Sequence, residues 1–305
     1  GGGEVGAAGD SSASGAVAED DSPPPPPLFE HPQYELVDSN LILRKDVPQP
    51  ASAEEHHLEE TTVLEEVVSF VTGSMLAMGF QEIFLPDGES DAKCPIYCTA
   101  DWETAPKLLV VLINQVGSQP GLWSRSLCFS HGLKAGSMLP TLEAAIANGY
   151  GVMVLNPNSN SVTVEGQDDK IPIEGSSSPE EHVLGVWDKM IQIDAEHGAG
   201  AAATQIFLLA YGNGASLASE IVQRQIAVAS GGDEPDRIMA VATIESSKRF
   251  LETDDAEDVR SVVASRFLNW EQSEFPEAFR ITATTAKLGC TCLSVGQMGP
   301  DQTLN

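Results

Sequence analysis

Four apolar runs limit what this chain can fold into. Leu108-Leu109-Val110-Val111-Leu112-Ile113, Val152-Met153-Val154-Leu155, Ile206-Phe207-Leu208-Leu209 and Ile238-Met239-Ala240-Val241-Ala242 carry no apolar–polar alternation. A strand with one wet face alternates, whereas a strand covered on both faces does not. Helical patterns fall between and after the runs, at about 138–148, 179–196, 215–229 and 256–269, and a last candidate strand lies at 291–295. Ser178, Pro179 and Glu181 supply an N-cap, a first-turn proline and a capping-box acid for the second of these helices. The alternation predicts a mostly parallel, doubly wound α/β sheet with helices on both faces.

Ahead of the runs, extended segments are expected near Tyr34 to Leu43. A helix capped by Ser52 and Glu55 follows, with Leu64, Val67, Val68, Val71 and Met75 on its buried face, then two short strands at 82–85 and 95–99. Residues 1–27, rich in Gly, Ala, Ser and Asp and ending in Pro23 to Pro27, read as a disordered acidic and proline-rich tail, and 28–305 as one domain. The G-x-G-x-x-G match at Gly1 to Gly6 has no strand before it and is chance; the prolines read as a spacer. The long connection at 156–178 reads as a mobile cover or a disordered insertion.

The net charge of −29, from 16 Lys+Arg against 45 Asp+Glu, disfavours autonomous binding to phosphate backbones. No apolar run is long enough to span a membrane and no signal peptide opens the chain, so a soluble, intracellular protein is expected. The chain starts at Gly1 rather than Met, which gives the lack of a leader little weight. Cys94, Cys98, Cys128, Cys290 and Cys292 have neither zinc-site nor redox-turn spacing and read as buried free thiols. His56 and His57 point around different sides of a helix, so neither a metal nor a cofactor is expected.

In such a sheet chemistry sits at the carboxyl ends of the strands, here from Asn114, Asn156, Tyr211 and Glu245 onward. Ala210-Tyr211-Gly212-Asn213-Gly214-Ala215 has the shape of a nucleophile elbow, with Gly212 at the attacking position and therefore no attacking atom. All six histidines, at 31, 56, 57, 131, 182 and 197, precede that turn, whereas the hydrolase base follows its nucleophile. The first central strand runs into Asn114-Gln115 rather than a His-Gly oxyanion turn, so Gly212, Asn213, Asn114 and Gln115 read as a degenerate elbow and oxyanion turn. Two enzyme-like alternatives stay open: Ser216 as a displaced nucleophile, and a nucleotide held at Gly212-Asn213-Gly214 with Glu245 on its ribose. Ser216, Ser246 and Ser247 also fit an ordinary surface role, and the glycines fit a turn's need for positive φ or close approach.

Leu122-Trp123-Ser124-Arg125, the run from Asn148 to Asn158, Ser177 to Val183 with Val186-Trp187-Asp188, the elbow and Ala240-Val241-Ala242 together resemble the domain of the Argonaute-binding protein two family, which includes animal cotranscriptional regulators. The resemblance runs from about Phe29 to near the end. It implies an α/β-hydrolase-like fold and a nuclear role tied to Argonaute proteins, small-RNA-directed heterochromatin formation or cotranscriptional regulation. Family members can carry A-H-S-x-G-G at the elbow; here Tyr211, Gly212 and Asn213 replace His, Ser and the next residue, and Gly299-Pro300-Asp301-Gln302 replaces a late His-bearing segment. The chain is accordingly expected to be a non-catalytic interaction domain whose acidic surface takes Argonaute-type or other basic protein partners. Direct RNA binding has family precedent but runs against the charge. Trp123, Trp187 and Tyr150 read as core aromatics, Asn156-Pro157-Asn158 as a turn seating the long loop, and Arg125 as an anion or partner contact or a plain surface salt bridge.

Overall fold

The apolar runs become the middle of one eight-stranded sheet in the computed structural model, which describes residues 24–115, 117–163, 169–192, 200–231, 235–246, 250 and 256–296. A hairpin of β1 (Tyr34–Val37) and β2 (Leu41–Arg44) precedes α1 (Ala53–Ala77), β3 (Phe80–Leu85), β4 (Cys94–Thr99) and β5 (Lys107–Asn114). Short helices α2 (Arg125–Ser130) and α3 (Leu133–Gly136) lead to α4 (Leu139–Ala147), β6 (Gly151–Val154) and a small hairpin of β7 (Ser161–Thr163) and β8 (Lys170–Pro172). After α5 (Pro179–Val186) come β9 (Gln205–Gly212), α6 (Gly214–Gly231), β10 (Ile238–Ile244), α7 (Glu257–Arg266), β11 (Phe267–Glu271), α8 (Thr282–Leu288) and β12 (Thr291–Ser294).

The strand order is β12-β11-β10-β9-β5-β6-β4-β3. Only β4 runs antiparallel to its neighbours, and the remaining pairings are parallel. The order reverses between β5 and β9, whose following connections leave toward β6 on one side and β10 on the other, and there an open α/β sheet forms its crevice. Two cores flank the sheet: Ile206, Leu208 and Ala210 of β9 join Val183, Trp187 and Leu217 on one face. Tyr211 joins Val67, Val71, Trp123 and Leu142 on the other. Burial on both sides is why these strands show no alternation in sequence.

Both predicted caps form, with Ser52 Oγ accepting from the Glu55 N–H and Ser178 Oγ from the Glu181 N–H, each at 3.1 Å. The acids reach back one residue beyond the cap, to the N–H groups of Ala51 at 2.6 Å and Ser177 at 2.9 Å. The α1 stripe is Val63, Val67, Val71 and Met75, one residue every turn, with Leu64 and Val68 only half-buried at its flank. The helix expected at 256–269 stops at Arg266, and Phe267–Glu271 is a strand beside β10. Asn269 disguised it, because a polar residue interrupts the run; its Oδ1 accepts from the Thr243 hydroxyl at 2.8 Å and the Ser246 N–H at 3.3 Å, which satisfies the oxygen inside the sheet. The helix expected at 179–196 is α-helical to Val186 and continues as one π turn over Trp187–Ile191.

The 156–178 connection is a tethered hairpin over its described residues rather than a free cover or insertion. Ile173 packs with Ala92 and Cys94, and the Asn158 amide donates to the Ile113 carbonyl at 2.9 Å. Most of the acidic tail, residues 1–23, lies outside the described residues, but Pro27 already touches α1: a β-carbon on Gly73 would lie 3.0 Å from its ring. All five cysteines are buried and free, and burial pushes the thiol of Cys94 up to about 11 and those of Cys98 and Cys128 up to about 12. Among the described residues no helix is long and apolar enough to cross a membrane, and no group of three or more His, Cys, Asp or Glu side chains could hold a metal ion.

Candidate functional site

The strand-to-helix turn after β9 needs both of its glycines for backbone reasons. Gly212 has φ +60, a conformation costly to side-chain-bearing residues, and a β-carbon on Gly214 would collide with the Leu112 carbonyl. The elbow geometry is therefore present while the attacking side chain is absent. From Gly212, the direction a side chain would take leads toward the Asn114 carbonyl oxygen, 3.4 Å from an ideal β-carbon, and the Gln115 side chain, 3.8 Å away.

The residue after an elbow nucleophile normally lends its N–H to the oxyanion. Here the Asn213 N–H donates to the Asn114 carbonyl at 3.0 Å, continuing the ladder in which Asn114 pairs with Gly212. Gly212, Asn213, Asn114 and Gln115 are thus brought together as the sequence suggests, with the backbone donor already occupied. Beside them Gln115, Gly117, Ser118, Leu122, Trp123, Ser124, Arg125 and Tyr211 line a cavity of about 200 Å³. The Arg125 guanidinium lies against Gly117, where a β-carbon would strike it. The expected surface salt bridge does not form: among the described residues the ion pairs are Arg44–Glu59, His56–Glu60, Arg224–Asp188 and Arg266–Asp236.

One hydroxyl–imidazole pair does exist, elsewhere and fully buried. Ser176 Oγ lies 2.9 Å from His182 Nδ1, and neither residue has measurable exposure. The Asn156 N–H donates to Nε2 at 3.1 Å, so the neutral ring carries its proton on Nδ1 and donates it to Ser176. The Ser176 hydroxyl in turn donates to the Ser159 carbonyl at 2.9 Å. A general base must accept from its serine, and this one donates to it. Desolvation alone lowers the His182 pKa to about 4, and Cys94 Sγ sits 3.9 Å from the same nitrogen. The cluster ties both ends of the 156–178 connection to α5.

The enzyme-like alternatives gain no partner. Ser216 is half-buried in the first turn of α6, and no described histidine hydrogen-bonds its hydroxyl. His197, Ser247 and the segment Gly299 to Gln302 lie outside the described residues. Glu245 turns its carboxylate to the Gln272 N–H at 2.9 Å, capping the loop after β11, and Gly214 is explained by its approach to Leu112. Trp123 and Trp187 are core aromatics as expected; Tyr150 is half-buried, edge-on to Phe207 at 5.3 Å and beneath the Lys107 ammonium at 5.3 Å. Sequence reasoning gave no role to Ser118 and Ser124 in the cavity wall or to Ser176 in the buried cluster; Ser124 stands in the Leu122–Arg125 stretch, and the other two stand in no motif.

With this geometry in hand, the Arb2 domain family model matches residues 51–277. The chain belongs to the Arb2 domain family. It is 28% identical over 238 residues to "Cotranscriptional regulator ARB2A" of Homo sapiens, covering 62% of this chain and 54% of that protein. The Xenopus tropicalis homologue is 26% identical over 249 residues, covering 64% and 56%, and the Dictyostelium discoideum homologue 40% over 84 residues, covering 27% and 22%. The match thus spans about half the length of the animal relatives. Solved structures similar in fold include carboxylesterase CesB from Bacillus subtilis, at TM-score 0.38 and 10% identity over 78% of this chain and 92% of that one. Another is "AbyA5 Wildtype", at TM-score 0.43 and 12% identity over 83% and 70%. The Arb2 domain here is an α/β-hydrolase-like fold, carried by its own strand order and its elbow, and its named relatives are regulators.

Proposed function

We propose that this Arb2 domain is a catalytically silent α/β-hydrolase-like interaction domain, working in the nucleus in an Argonaute-associated or cotranscriptional regulatory assembly. One observation carries the loss of catalysis: at the elbow the attacking position is Gly212, and the Asn213 N–H that would face an oxyanion is held by the Asn114 carbonyl. Losing one oxyanion donor costs about 100- to 1,000-fold in rate, and a missing nucleophile removes the covalent route altogether. The relatives' name, cotranscriptional regulator, supports the regulatory half of the reading. Charge supports the kind of partner: a surface contributing to a net −29 favours basic protein faces and slows approach to nucleic acid.

Two measurements test this. Short acyl esters incubated with the protein should turn over no faster than the buffer background, and turnover abolished by Ser216→Ala would restore the enzyme reading. Affinity capture from nuclear extract should return Argonaute-type or chromatin proteins that elute with rising salt; recovery of metabolic enzymes alone would count against the regulatory assignment.

A further inference from the structure

The cavity beside the elbow has lost its nucleophile and holds a cation. Asp and Glu outnumber Lys and Arg by 45 to 16 in this chain, yet among the described arginines Arg125 and the exposed Arg280 form no ion pair with a described acid, and of these two Arg125 is the one in the wall of the cavity beside the elbow. Arg44, Arg224 and Arg266 each pair with an acid. Arg237, which is buried, gives its N–H groups to the carbonyls of Ala201, Ala203 and Ile191. Among the described residues Arg125 pairs with no acid, and no described Asp or Glu lines the cavity it borders.

The wall around Arg125 carries neutral hydrogen-bonding groups: the Gln115 amide, the Ser118 hydroxyl and the Ser124 hydroxyl, whose oxygen also caps α2 by accepting from the Leu127 N–H at 3.4 Å and lies 3.1 Å from the Ser126 hydroxyl. Buried Leu122 and Trp123 stiffen the wall from behind. Gly117, at φ +76, lets the guanidinium lie against the turn, since any β-carbon there would displace it. A planar guanidinium edged by hydroxyl and amide donors matches an oxyanion, which it can bind through two parallel N–H···O bonds. The cavity, at about 200 Å³, has the volume of roughly seven waters at about 30 Å³ each. That suits a carboxylate or phosphate group with a few atoms of its carrier, and falls below the ~300–1,000 Å³ of sites for larger ligands.

We propose that this cavity is an oxyanion-binding site, in which Arg125, with Gln115, Ser118 and Ser124, receives one carboxylate or phosphate group. It rests on the reading of the elbow as non-catalytic, because the ligand would lie beside Gly212 without being attacked. The carrier is either a small free anion or a single acidic or phosphorylated side chain of a protein partner, and the two share the same recognition chemistry.

Calorimetric titration of the full chain with inorganic phosphate, acetate and a short peptide bearing one phosphoserine tests the site. At least one should bind, and Arg125→Gln should weaken that binding about 10- to 100-fold, the loss expected for charged hydrogen bonds. Arg125→Lys should recover part of it, and an unchanged thermal midpoint would show that the variants fold. Peptide affinity well above that of phosphate assigns the site to a partner side chain, and equal affinity assigns it to a free anion. No binding by any of the three at low ionic strength, or equal binding by wild type and Arg125→Gln, overturns the proposal. Ester turnover, measured in the same preparation, reports separately on the non-catalytic reading.

Discussion

The elbow after β9 and the His182 cluster divide between them what a hydrolase keeps in one place. The elbow has the position, at the carboxyl end of the central strands and next to a cavity, but glycine where a nucleophile would stand. The cluster has the residue types, a hydroxyl 2.9 Å from an imidazole, but no solvent access and a proton pointing the wrong way. Residue type without location ties the 156–178 connection to α5, and location without residue type leaves an elbow with no atom to attack. Neither region could be assigned from a pairwise distance alone: hydrogen-bond direction and burial decide.

If the cluster is structural, breaking it should be the costliest change of the three argued here. His182→Ala leaves the Asn156 N–H and the Ser176 hydroxyl without their partner in a dry interior and opens a cavity, for a loss of about 3–5 kcal/mol. Urea denaturation would register this as a lower midpoint with an unchanged slope. A loss under about 1 kcal/mol would mean that the 156–178 connection does not depend on this histidine.

Acid should act on the same group by a somewhat smaller amount. Burial lowers the His182 pKa from 6.5 to about 4, so the unfolded chain takes up a proton below pH 6.5 that the folded chain refuses. The stabilisation is complete above pH 6.5 and is lost as pH falls toward 4, by about 3 kcal/mol in total at ~1.4 kcal/mol per pH interval of one. Carboxylates also titrate at the low end of that window. The measurement is therefore the difference in stability between wild type and His182→Gln at pH 7 and pH 4.5, which should shrink with acid; a constant difference would place the proton elsewhere.

The two regions were unequally legible in the sequence. The elbow could be read because its signals are local: an apolar run, then small residues over six positions, then a helix. The buried cluster could not, because Asn156 and Cys94 lie 26 and 88 residues from His182. The same contrast holds in the sheet. Strands at 108–113 and 206–209 announce themselves by unbroken burial, whereas β11 hides behind Asn269, a buried polar residue whose partner, Thr243, lies 26 residues away on the neighbouring strand. The isolation of Arg125 was equally invisible, since a missing ion pair is a property of three-dimensional neighbours and not of spacing.

The smallest expected effect comes from giving the elbow back its missing atom. Gly212→Ser places a hydroxyl on a residue at φ +60, a strain of about 1–2 kcal/mol, and into space whose nearest neighbour is 3.4 Å from the new β-carbon, so the variant should fold. It should nonetheless hydrolyse esters no faster than the parent. No described histidine lines the cavity to take the proton, and the Asn213 N–H remains donated to the Asn114 carbonyl. Burst kinetics with an activated ester give the sharper readout, because a serine that acylates without turning over would release one equivalent of alcohol and stop. Such a burst would mean that the Asn114–Asn213 hydrogen bond can open to admit an oxyanion, leaving the missing base as the principal deficit. Its absence would place the deficit in the backbone donor as well, which one side-chain substitution cannot restore.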